Sequence, residues 1–561
     1  MKTAKAKSRL RRILLRVAIA SPFVLAACGV AASYIIDWAC ELHPPKLTYV
    51  PAILSMPLVE ADGIRTIGDN SLSRRDGIIR MKISGDPYTL GYANAVLTQE
   101  YVREQETQFL ALIRQFVPSD WKLWLLKKFI VVRNRGLDQY IAPDRLMEIY
   151  GLSQGYNDPF PEIGPLYHRL VNYHAAHDIG HALIDNPLLG CTSFAVSGPY
   201  TANGHLWTGR NFDFDAARCF DENKIVMLVT PDDGLRFLSV GWPGLVGVVT
   251  GLNEKLIFAS LNAAHSEDSA RIGTPVSLVL REVMQHASTL DEAVSIIVNA
   301  QVFVSDSYLV ADGKTGQAAL VEKTPARSAV VRWESDAIVN TNHFLSPQWG
   351  ADAGNLAYIR EGTSVDRYQR TVELLDEYKG ALDEKTIAAI LRDRSVPGVP
   401  SAGLGNQAAI NPLVATHSVI ADVTAGIIWV SASPHQLGAY VPFSISSFDA
   451  PSGAEAVPAD ALLTDGGYDA FLEARAALAS AQKALDEGDA KTASALAGRA
   501  MQANPGYYEP YLVMGKAALA LKDYENARKY LDAALAAYPP YQSQRDEVTA
   551  LVSGISQAPG K

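Results

Sequence analysis

At Gly190 the sequence changes its period, and that change constrains the fold more than any other feature. Before it, apolar residues recur at helical spacing. Leu90, Ala93, Val96 and Leu97 open a stripe near Thr89 that Phe109, Leu112, Ile113 and Phe116 continue. Further helical stretches cover roughly 120–132 and 166–183, joined by a Pro/Gly-rich connection at 151–165. Residues 41–80, with Pro44, Pro45, Pro51 and Pro57, read as an extended lead-in. After Gly190, short β-type runs follow one another: 193–197, 205–214, 224–229, 255–261, 307–311, 318–322, 328–333, 338–342, 417–421 and 427–431. Asp312-Gly313-Lys314-Thr315-Gly316 and the turn at 422–426 are of the kind that close hairpins. Two strong helical segments, 275–300 and 364–379, interrupt the strands. Strands massed around few helices predict an α+β sandwich rather than a βαβ wind.

The last hundred residues are different again. After a Pro/Ala/Gly-rich link at 449–458 the chain becomes Ala-rich, helical and repetitive. Pro505 and Pro539 stand 34 apart, as do Ala493 and Ala527, Ala500 and Ala534, and Asp489 and Asp523. Thirty-four residues is the tetratricopeptide period. Two copies are fewer than usually stand alone, so the pair is expected to lean on the body before it. A plain Ala-rich helical hairpin without partner-binding function is the other reading.

The first forty residues read as export machinery. Lys2, Lys5, Lys7, Arg9, Arg11, Arg12 and Arg16 precede an uncharged stretch from Val17 to Ile36, and no acidic residue comes before Asp37. Leu25-Ala26-Ala27-Cys28-Gly29 resembles a bacterial lipobox, which would lipidate Cys28. The apolar run continues through Ile36, and about 20 apolar residues can span a bilayer as an uncleaved anchor. A simple cleaved signal peptide is the third possibility. The lipobox and the anchor predict membrane attachment with the body on the extracytoplasmic side, because the basic flank stays inside. Net charge is −10, with no basic mass past residue 40, which argues against nucleic acid as a partner. Four cysteines, Cys28, Cys40, Cys191 and Cys219, are too few for a disulfide scaffold.

Gly190-Cys191-Thr192-Ser193-Phe194 sets a glycine-preceded thiol at the start of a strand-like run. Alone, such a cysteine reads as a small core residue. Downstream, the turn Ala202-Asn203-Gly204 would fold Gly209-Arg210-Asn211-Phe212-Asp213-Phe214 back against it. Gly251-Leu252-Asn253-Glu254-Lys255, Phe258-Ala259-Ser260-Leu261-Asn262, Asn340-Thr341-Asn342-His343 and Ser364-Val365-Asp366-Arg367-Tyr368 follow in order. A free α-amine has a pKa of about 7.7–8.0 and can take a thiol's proton at working pH. A cysteine that became an N-terminus would therefore carry nucleophile and base together, with no catalytic histidine. The same thiol could first attack the Gly190 carbonyl, where glycine permits unusual backbone angles.

This ordered set resembles the cysteine branch of the N-terminal-nucleophile hydrolases, above all the acyltransferases that make penicillins from isopenicillin N. It is similar in plan to choloylglycine hydrolases and penicillin V acylase. The resemblance covers roughly 78–448. It implies a four-layer αββα sandwich, self-cleavage between Gly190 and Cys191, and an upstream part that stays bound. It implies an amidase or acyltransferase acting through a thioester on a linear or β-lactam-type amide with an apolar acyl group, with no cofactor or metal. Domains are expected at 1–40 (signal or anchor), 41–190 (helical pro-region), 191–448 (catalytic), 449–466 (linker) and 467–555 (repeats).

The resemblance also implies roles. Arg210 would lie beside the sulfur and favour its thiolate; Asp213 would accept a hydrogen bond from the Cys191 ammonium. Asn262 would form the oxyanion hole, Asn342 would stand near the leaving group, and Arg367 would be a structural or catalytic arginine. Each has a plainer reading: a buried ion pair fixing a hairpin for Arg210 and Asp213, turn-forming asparagines, a helix-surface charge for Arg367. Asn340 is close enough to Asn342 for the assignment to slip by two. Leu256 stands where many relatives carry glycine after Asn-Glu-Lys, and His265 has no family role.

Other patterns carry less. His174, His177 and His181 at i, i+3 and i+7 suggest metal ligation, but no carboxylate completes a ligand set, and packing or loop capping is the expected role. Asp178 is placed to hold the segment ahead of the cleavage point. The Gly241-Trp242-Pro243-Gly244 turn would bring Trp242 to a substrate pocket or to the core. No Gly-x-Ser-x-Gly elbow, Walker loop or dinucleotide fingerprint occurs. The competing function is a membrane-tethered interaction protein, in which the repeats recruit a protein partner and the sandwich is inactive.

Overall fold

The computed structural model describes residues 29, 31, 33–175, 178, 190–214, 217–333, 335–399, 401–449, 451 and 453–556. Cys28, His177 and His181 lie outside them. Two sheets face each other. The larger runs β1 (Leu58–Ala61), β2 (Ile64–Ile67), β3 (Asn70–Arg75), β4 (Ile78–Gly85), then β7 (Ile225–Pro231), β8 (Phe237–Gly241), β9 (Thr250–Asn253), β10 (Ile257–Ala263), β11 (Asp306–Asp312), β12 (Gln317–Lys323) and β13 (Ser328–Arg332). The smaller is ordered β14 (Ala337–Asn340), β5 (Thr192–Val196), β6 (Trp207–Asp213), β15 (Ala415–Asp422), β16 (Ile427–Ser431) and β17 (Tyr440–Ser444).

Side-chain alternation along the strands sorts the core into layers. Val226, Phe258, Leu309 and Leu320 of the large sheet meet Ala195, Val419, Ile428 and Phe443 of the small one. On the large sheet's other face Ile79, Met81, Met227, Ala259 and Val310 pack under α1 (Pro87–Phe116), α3 (Pro143–Gly155), α5 (Val276–His286) and α6 (Leu290–Asn299). On the small sheet's other face Phe194, Trp207 and Ile420 pack under α8 (Ser364–Glu377) and α9 (Glu384–Leu391). This is the expected α+β sandwich of four layers, αββα.

The upstream region is not helical throughout, and residues 58–85 are not an extended lead-in. They form a meander whose turns at Asp62-Gly63 and Asp76-Gly77 hold positive φ at both positions, the geometry that Asp-Gly hairpins favour. β4 then pairs in parallel with β7, from Ile79 opposite Ile225 to Gly85 opposite Pro231. The segment before Cys191 thus supplies a strand to the interior of the large sheet. Cutting the chain at Gly190 would leave that strand paired on both sides.

Asp86 caps α1, accepting the Thr89 N–H at 3.2 Å. α1 and α3 cross backbone to backbone: a Cβ on Gly91 would stand 1.8 Å from the Glu148 carbonyl oxygen. Segment 275–300, expected as one helix, is two, because α5 ends at His286 and Thr289 caps α6. α2 (Asp120–Arg133), between α1 and α3, and α4 (Leu166–His174), after α3, complete the helices upstream of Gly190. α7 (Ala353–Glu361) precedes α8.

Five helices close the chain: α10 (Gly467–Asp486), α11 (Ala490–Ala503), α12 (Tyr508–Ala520), α13 (Tyr524–Ala536) and α14 (Gln542–Ser556). Asp489 and Asp523, 34 apart, cap α11 and α13 through the N–H groups of Thr492 and Asn526. The repeats do lean on the body. The Asn504 side chain bonds the N–H and C=O of Leu404, each at 2.8 Å. Asn406 Nδ2 donates to the Tyr538 carbonyl at 3.0 Å, and the Tyr538 hydroxyl donates to Asp366 at 2.9 Å. Among the described residues no helix is long and apolar enough to cross a membrane.

Candidate active site

Cys191 sits at the entrance to β5, between the two sheets and fully buried. β5 pairs with β6 so that Ser193 lies opposite Arg210, and Asn340 of β14 lies opposite Ser193 from the other side. Pairing register therefore brings the Gly190-Cys191 and Gly-Arg-Asn-Phe-Asp motifs together, as a hairpin requires. Gly190 continues the ladder, its N–H donating to the Asp213 carbonyl at 3.2 Å. Its φ is outside the left-handed region, and an added Cβ would meet only ordinary contacts, 3.8 Å from the Asp213 carboxylate and 3.9 Å from the Arg367 guanidinium. In the uncut chain, then, no backbone strain demands glycine there.

The Arg210 guanidinium and the Asp213 backbone N–H both act on the sulfur, favouring its thiolate. Burial pushes the thiol up, against the pull of Arg210. The same burial brings Arg210 down to about 10. Arg210 also donates to the carbonyls of Val249 and Leu261 and to the Thr250 hydroxyl, bridging the small sheet to the large one. It is no hairpin ion pair. Asp213 is fully buried, neither of its carboxylate oxygens has a partner among the described residues, and desolvation raises it to about 8 despite Arg367 and Arg210 nearby.

Arg367 is buried and is not a helix-surface charge. Its guanidinium donates to the Cys191 carbonyl at 2.5 Å, to Thr192 Oγ1 at 3.0 Å and to Asn342 Oδ1 at 2.7 Å. α8 thus delivers one planar fork that ties the cysteine backbone to the Asn340–His343 segment. The three asparagines separate by their bonds. Asn342 is fully engaged: its amide nitrogen donates to the Ala263 carbonyl at 2.8 Å while its oxygen takes Arg367. Asn262 spends its amide hydrogens on the carbonyls of Asn340 and Thr341, at 3.1 and 3.0 Å. Asn340 is buried, and neither of its side-chain polar atoms has a partner among the described residues. Strand alternation turns it, like Asn262, into the gap between the sheets. Asn342 is thus tied to Ala263 and Arg367, while the side chain of Asn340, two residues before it, has no partner among the described residues.

Several polar groups had no motif to announce them. His417 Nε2 meets the Thr250 hydroxyl at 3.0 Å and its ring stacks on Phe212 at 5.1 Å, with Trp242 at 5.5 Å from Phe212. Trp242 therefore packs beside the site, donating its Nε1–H to the Phe220 carbonyl. Burial and Arg210 keep His417 neutral. His343 is pushed down to about 4 by burial and by Arg367. Asp178 and Asp306 are buried together, with Asp178 at about 8 through desolvation and accepting the Val276 N–H at 3.3 Å. Asp178 so ties the upstream segment to α5. His174 takes the packing role: Nδ1 bonds the Leu170 carbonyl at 2.7 Å and Nε2 accepts the Val246 N–H at 2.9 Å. Among the described residues no group of three His, Cys, Asp or Glu could hold a metal.

A cavity of about 1730 Å³ lies between the body and the repeats, lined by His265, Tyr358 and Glu361 on one side and Tyr507, Tyr508 and Tyr541 on the other. His265 stacks on Tyr358 at 4.5 Å, and Tyr358 lies within electrostatic reach of both Cys191 and Arg367.

Two facing sheets between helical layers, with a buried thiol opening one inner strand, are the sandwich of the N-terminal-nucleophile hydrolases. Residues 200–402 match the family described as acyl-coenzyme A:6-aminopenicillanic acid acyl-transferase, and 484–550 match the tetratricopeptide repeat. The first span contains Arg210, Asp213, Asn262, Asn340, Asn342 and Arg367 and begins after Cys191. The chain is thus related to the N-terminal-nucleophile hydrolases and carries a tetratricopeptide repeat. An uncharacterized protein of Archaeoglobus fulgidus is 24% identical over 342 residues, covering 55% of this chain and 56% of the relative. The chain therefore spans about half that relative's length. The N-acylethanolamine-hydrolyzing acid amidase of Caenorhabditis elegans is 22% identical over 276 residues, 47% of this chain and 73% of the amidase. The solved ortholog from that nematode covers 42% of this chain and 93% of its own, at 20% identity and a TM-score of 0.32. Conjugated bile acid hydrolase of Clostridium perfringens covers 47% and 95%, at 14% identity and a TM-score of 0.33.

Proposed function

We propose that this chain is an amide hydrolase or acyltransferase that cuts itself between Gly190 and Cys191 and then uses the Cys191 thiol as nucleophile. One observation carries the proposal: Asp213 keeps a buried carboxylate, unpaired among the described residues, beside the Gly190–Cys191 peptide. A buried carboxylate without a partner costs several kcal/mol, and the α-ammonium created by cleavage is the cation it lacks.

In self-cleavage the sulfur attacks the Gly190 carbonyl carbon, the C–N bond breaks as the C–S bond forms, and the proton ends on the new Cys191 amine. Water then hydrolyses the thioester, leaving a carboxylate on Gly190 and a free thiol on Cys191. In turnover the α-amine takes the thiol proton, the sulfur attacks the substrate carbonyl, and the amine leaves with that proton. Arg210 holds the sulfur, Asn340 offers its side-chain amide to the oxyanion, Asn262 holds the Asn340–Thr341 backbone in place, and Arg367 with Asn342 fixes the backbone around it. One such donor is typically worth ~10²–10³ in rate. Water or a second amine releases the acyl group. An amide with an apolar acyl group, entering by the cavity that Tyr358 borders, suits this arrangement.

N-terminal sequencing after denaturing electrophoresis tests the reading. The expected product begins at Cys191, and Cys191→Ala stays whole. Wild-type protein that remains uncut and ignores thiol-directed acylating probes would overturn it. The basic leader and the run 17–36 support attachment outside the cytoplasm, with a lipid on Cys28 or an uncleaved anchor. Mass spectrometry of the N-terminal peptide distinguishes diacylglycerol on Cys28 from an intact Met1, and a mature chain beginning past residue 36 refutes both.

A further inference from the structure

α2 has no buried residue at all. Trp121, Trp124, Leu125, Phe129 and Val132 are exposed by 63, 44, 48, 50 and 48%. Their positions fall at i, i+3, i+4, i+8 and i+11, one side of a helix with Lys128 set among them at i+7. Phe116, at the end of α1, adds a ring that is 75% exposed. Isolated surface apolar residues need no explanation, but an apolar side of this kind marks an interaction face.

The surroundings say which kind. Lys122, Lys127, Lys128 and Arg133 lie on the same helix with one acid, Asp120. Lys122 lies over the Trp121 ring at 5.9 Å and Lys128 over that of Trp124 at 6.0 Å, so cations border the aromatic stripe. Lys128 also joins Asp37 at 2.5 Å, which fastens the helical residues 33–39 to α2. These carry Tyr34, Ile35 and Trp38, exposed by 73, 63 and 77%. They end the uncharged run that follows seven Lys and Arg residues. Tryptophan, phenylalanine and leucine on one face with lysine at its margin is the composition of a helix lying in a lipid interface. Lysine stems reach up from such a plane to anionic headgroups.

We propose that the α2 stripe, with Tyr34 and Trp38 beside it, docks on the surface of an anionic lipid bilayer. The face is separate from the chemistry at Cys191 and from the question of how residue 28 is processed. It would seat the body against the membrane rather than leave it swinging on a leader.

Hydrogen exchange on the full chain tests this, with vesicles of phosphatidylcholine and phosphatidylglycerol as the probe. The leader alone can bring the chain to vesicles, so the reading is taken at α2 itself. The amides of 120–133 should exchange at least about tenfold more slowly on vesicles. The variant W121S/W124S/F129S should lose that slowing, with the exchange of β5, β6 and β15 unchanged as the control for folding. The proposal fails if the chain sits on vesicles with α2 unprotected, or never associates with them. It also fails if α2 is slowed without lipid in proportion to protein concentration, which would mean a second copy covers the stripe. Slowing without lipid at every concentration would mean that the chain's own leader covers it, and is equally fatal.

Discussion

The uncut chain should lose stability as pH rises through neutrality, and Asp213 should be the reason. Its carboxyl is held at about 8 against an ordinary value of 3.8, because burial disfavours the charged form. A carboxyl raised in the folded state binds a proton there that the unfolded chain has already released. Its stabilising contribution is therefore complete below about pH 4 and is lost as pH climbs to 8. Linkage sets the size. Between pH 5 and pH 8 the loss from this one group is about 3–4 kcal/mol, a large part of a domain's typical 5–15 kcal/mol. The perturbation is Asp213→Asn in a Cys191→Ala background, which keeps the chain whole. Urea unfolding of Cys191→Ala and of the double variant at pH 5, 6, 7 and 8 gives the difference. Subtraction cancels Asp178, raised to about 8 in the same way. The single variant should weaken relative to the double as pH rises, with the gap changing by about 3–4 kcal/mol. Parallel curves, or a gap of opposite sign, would refute the claim that this carboxylate waits unpaired for the ammonium. In cleaved wild-type protein the fall should flatten, since the new cation favours the ionised acid.

Other substitutions sort binding atoms from structural ones. Asn340→Ala should leave the melting temperature within a degree or two and lower turnover about 10²-fold, the loss of one oxyanion donor. Asn342→Ala should instead cost about 2–3 kcal/mol in chemical denaturation, because it strands the buried Arg367 fork. Arg367→Lys keeps the charge but cannot span Cys191, Thr192 and Asn342 together, so cleavage of the precursor, followed by electrophoresis, should slow at least tenfold. Leu256→Val should destabilise by about 2 kcal/mol while Leu256→Gly stays within about 1, since Leu256 sits at φ 63° and a β-branched residue tolerates that region worst. Tyr538→Phe should cost about 1 kcal/mol and speed proteolytic release of the repeats from the body, by removing the bond to Asp366.

Much of the fold was readable because its central strands are apolar on both faces. β10 and β11 are buried along their whole length, and such runs announce themselves without alternation. β1 escapes for the opposite reason: all four of its residues are exposed, so hydrophobic pattern carries nothing, and only the Asp-Gly turns betray the meander. β8, β9 and β17 are four or five residues long and fall below what a period can reveal. Leu256 kept its place in the motif despite losing the glycine, at the φ a glycine would prefer, and its side chain packs partly into the inter-sheet core. In the site, chain order foretold which motifs meet but not which atoms stay free. Asn340 and Asn342 are two residues apart in the same motif. What separates them is Ala263 and Arg367, which arrive from β10 and α8. His417 was invisible because a histidine with no partner motif looks like any core residue.

The distribution of unpaired polar atoms argues that the precursor is built to change. In the upstream helices Arg169 holds Glu106, Asp158 and two carbonyls, and the buried atoms there without a hydrogen-bond partner, such as Arg133 Nε and Arg145 Nε, are scattered. Between the sheets near Cys191 the pattern reverses. Asp213, Asn340, Asn262 Oδ1, Ser260, Ser307 and His417 Nδ1 all have buried atoms without a partner among the described residues. Each costs roughly 1–3 kcal/mol, so this concentration must be held in place by the ties around it. Arg210 and Arg367 are those ties, and each reaches across from one motif to the backbone of another. On the proposed function, self-cleavage would give the cluster a cation at Cys191, and substrate binding would give the Asn340 amide an oxyanion. On that reading the fold bears the cost of unmade bonds in one place and would make them in two stages, first in maturation and then in turnover.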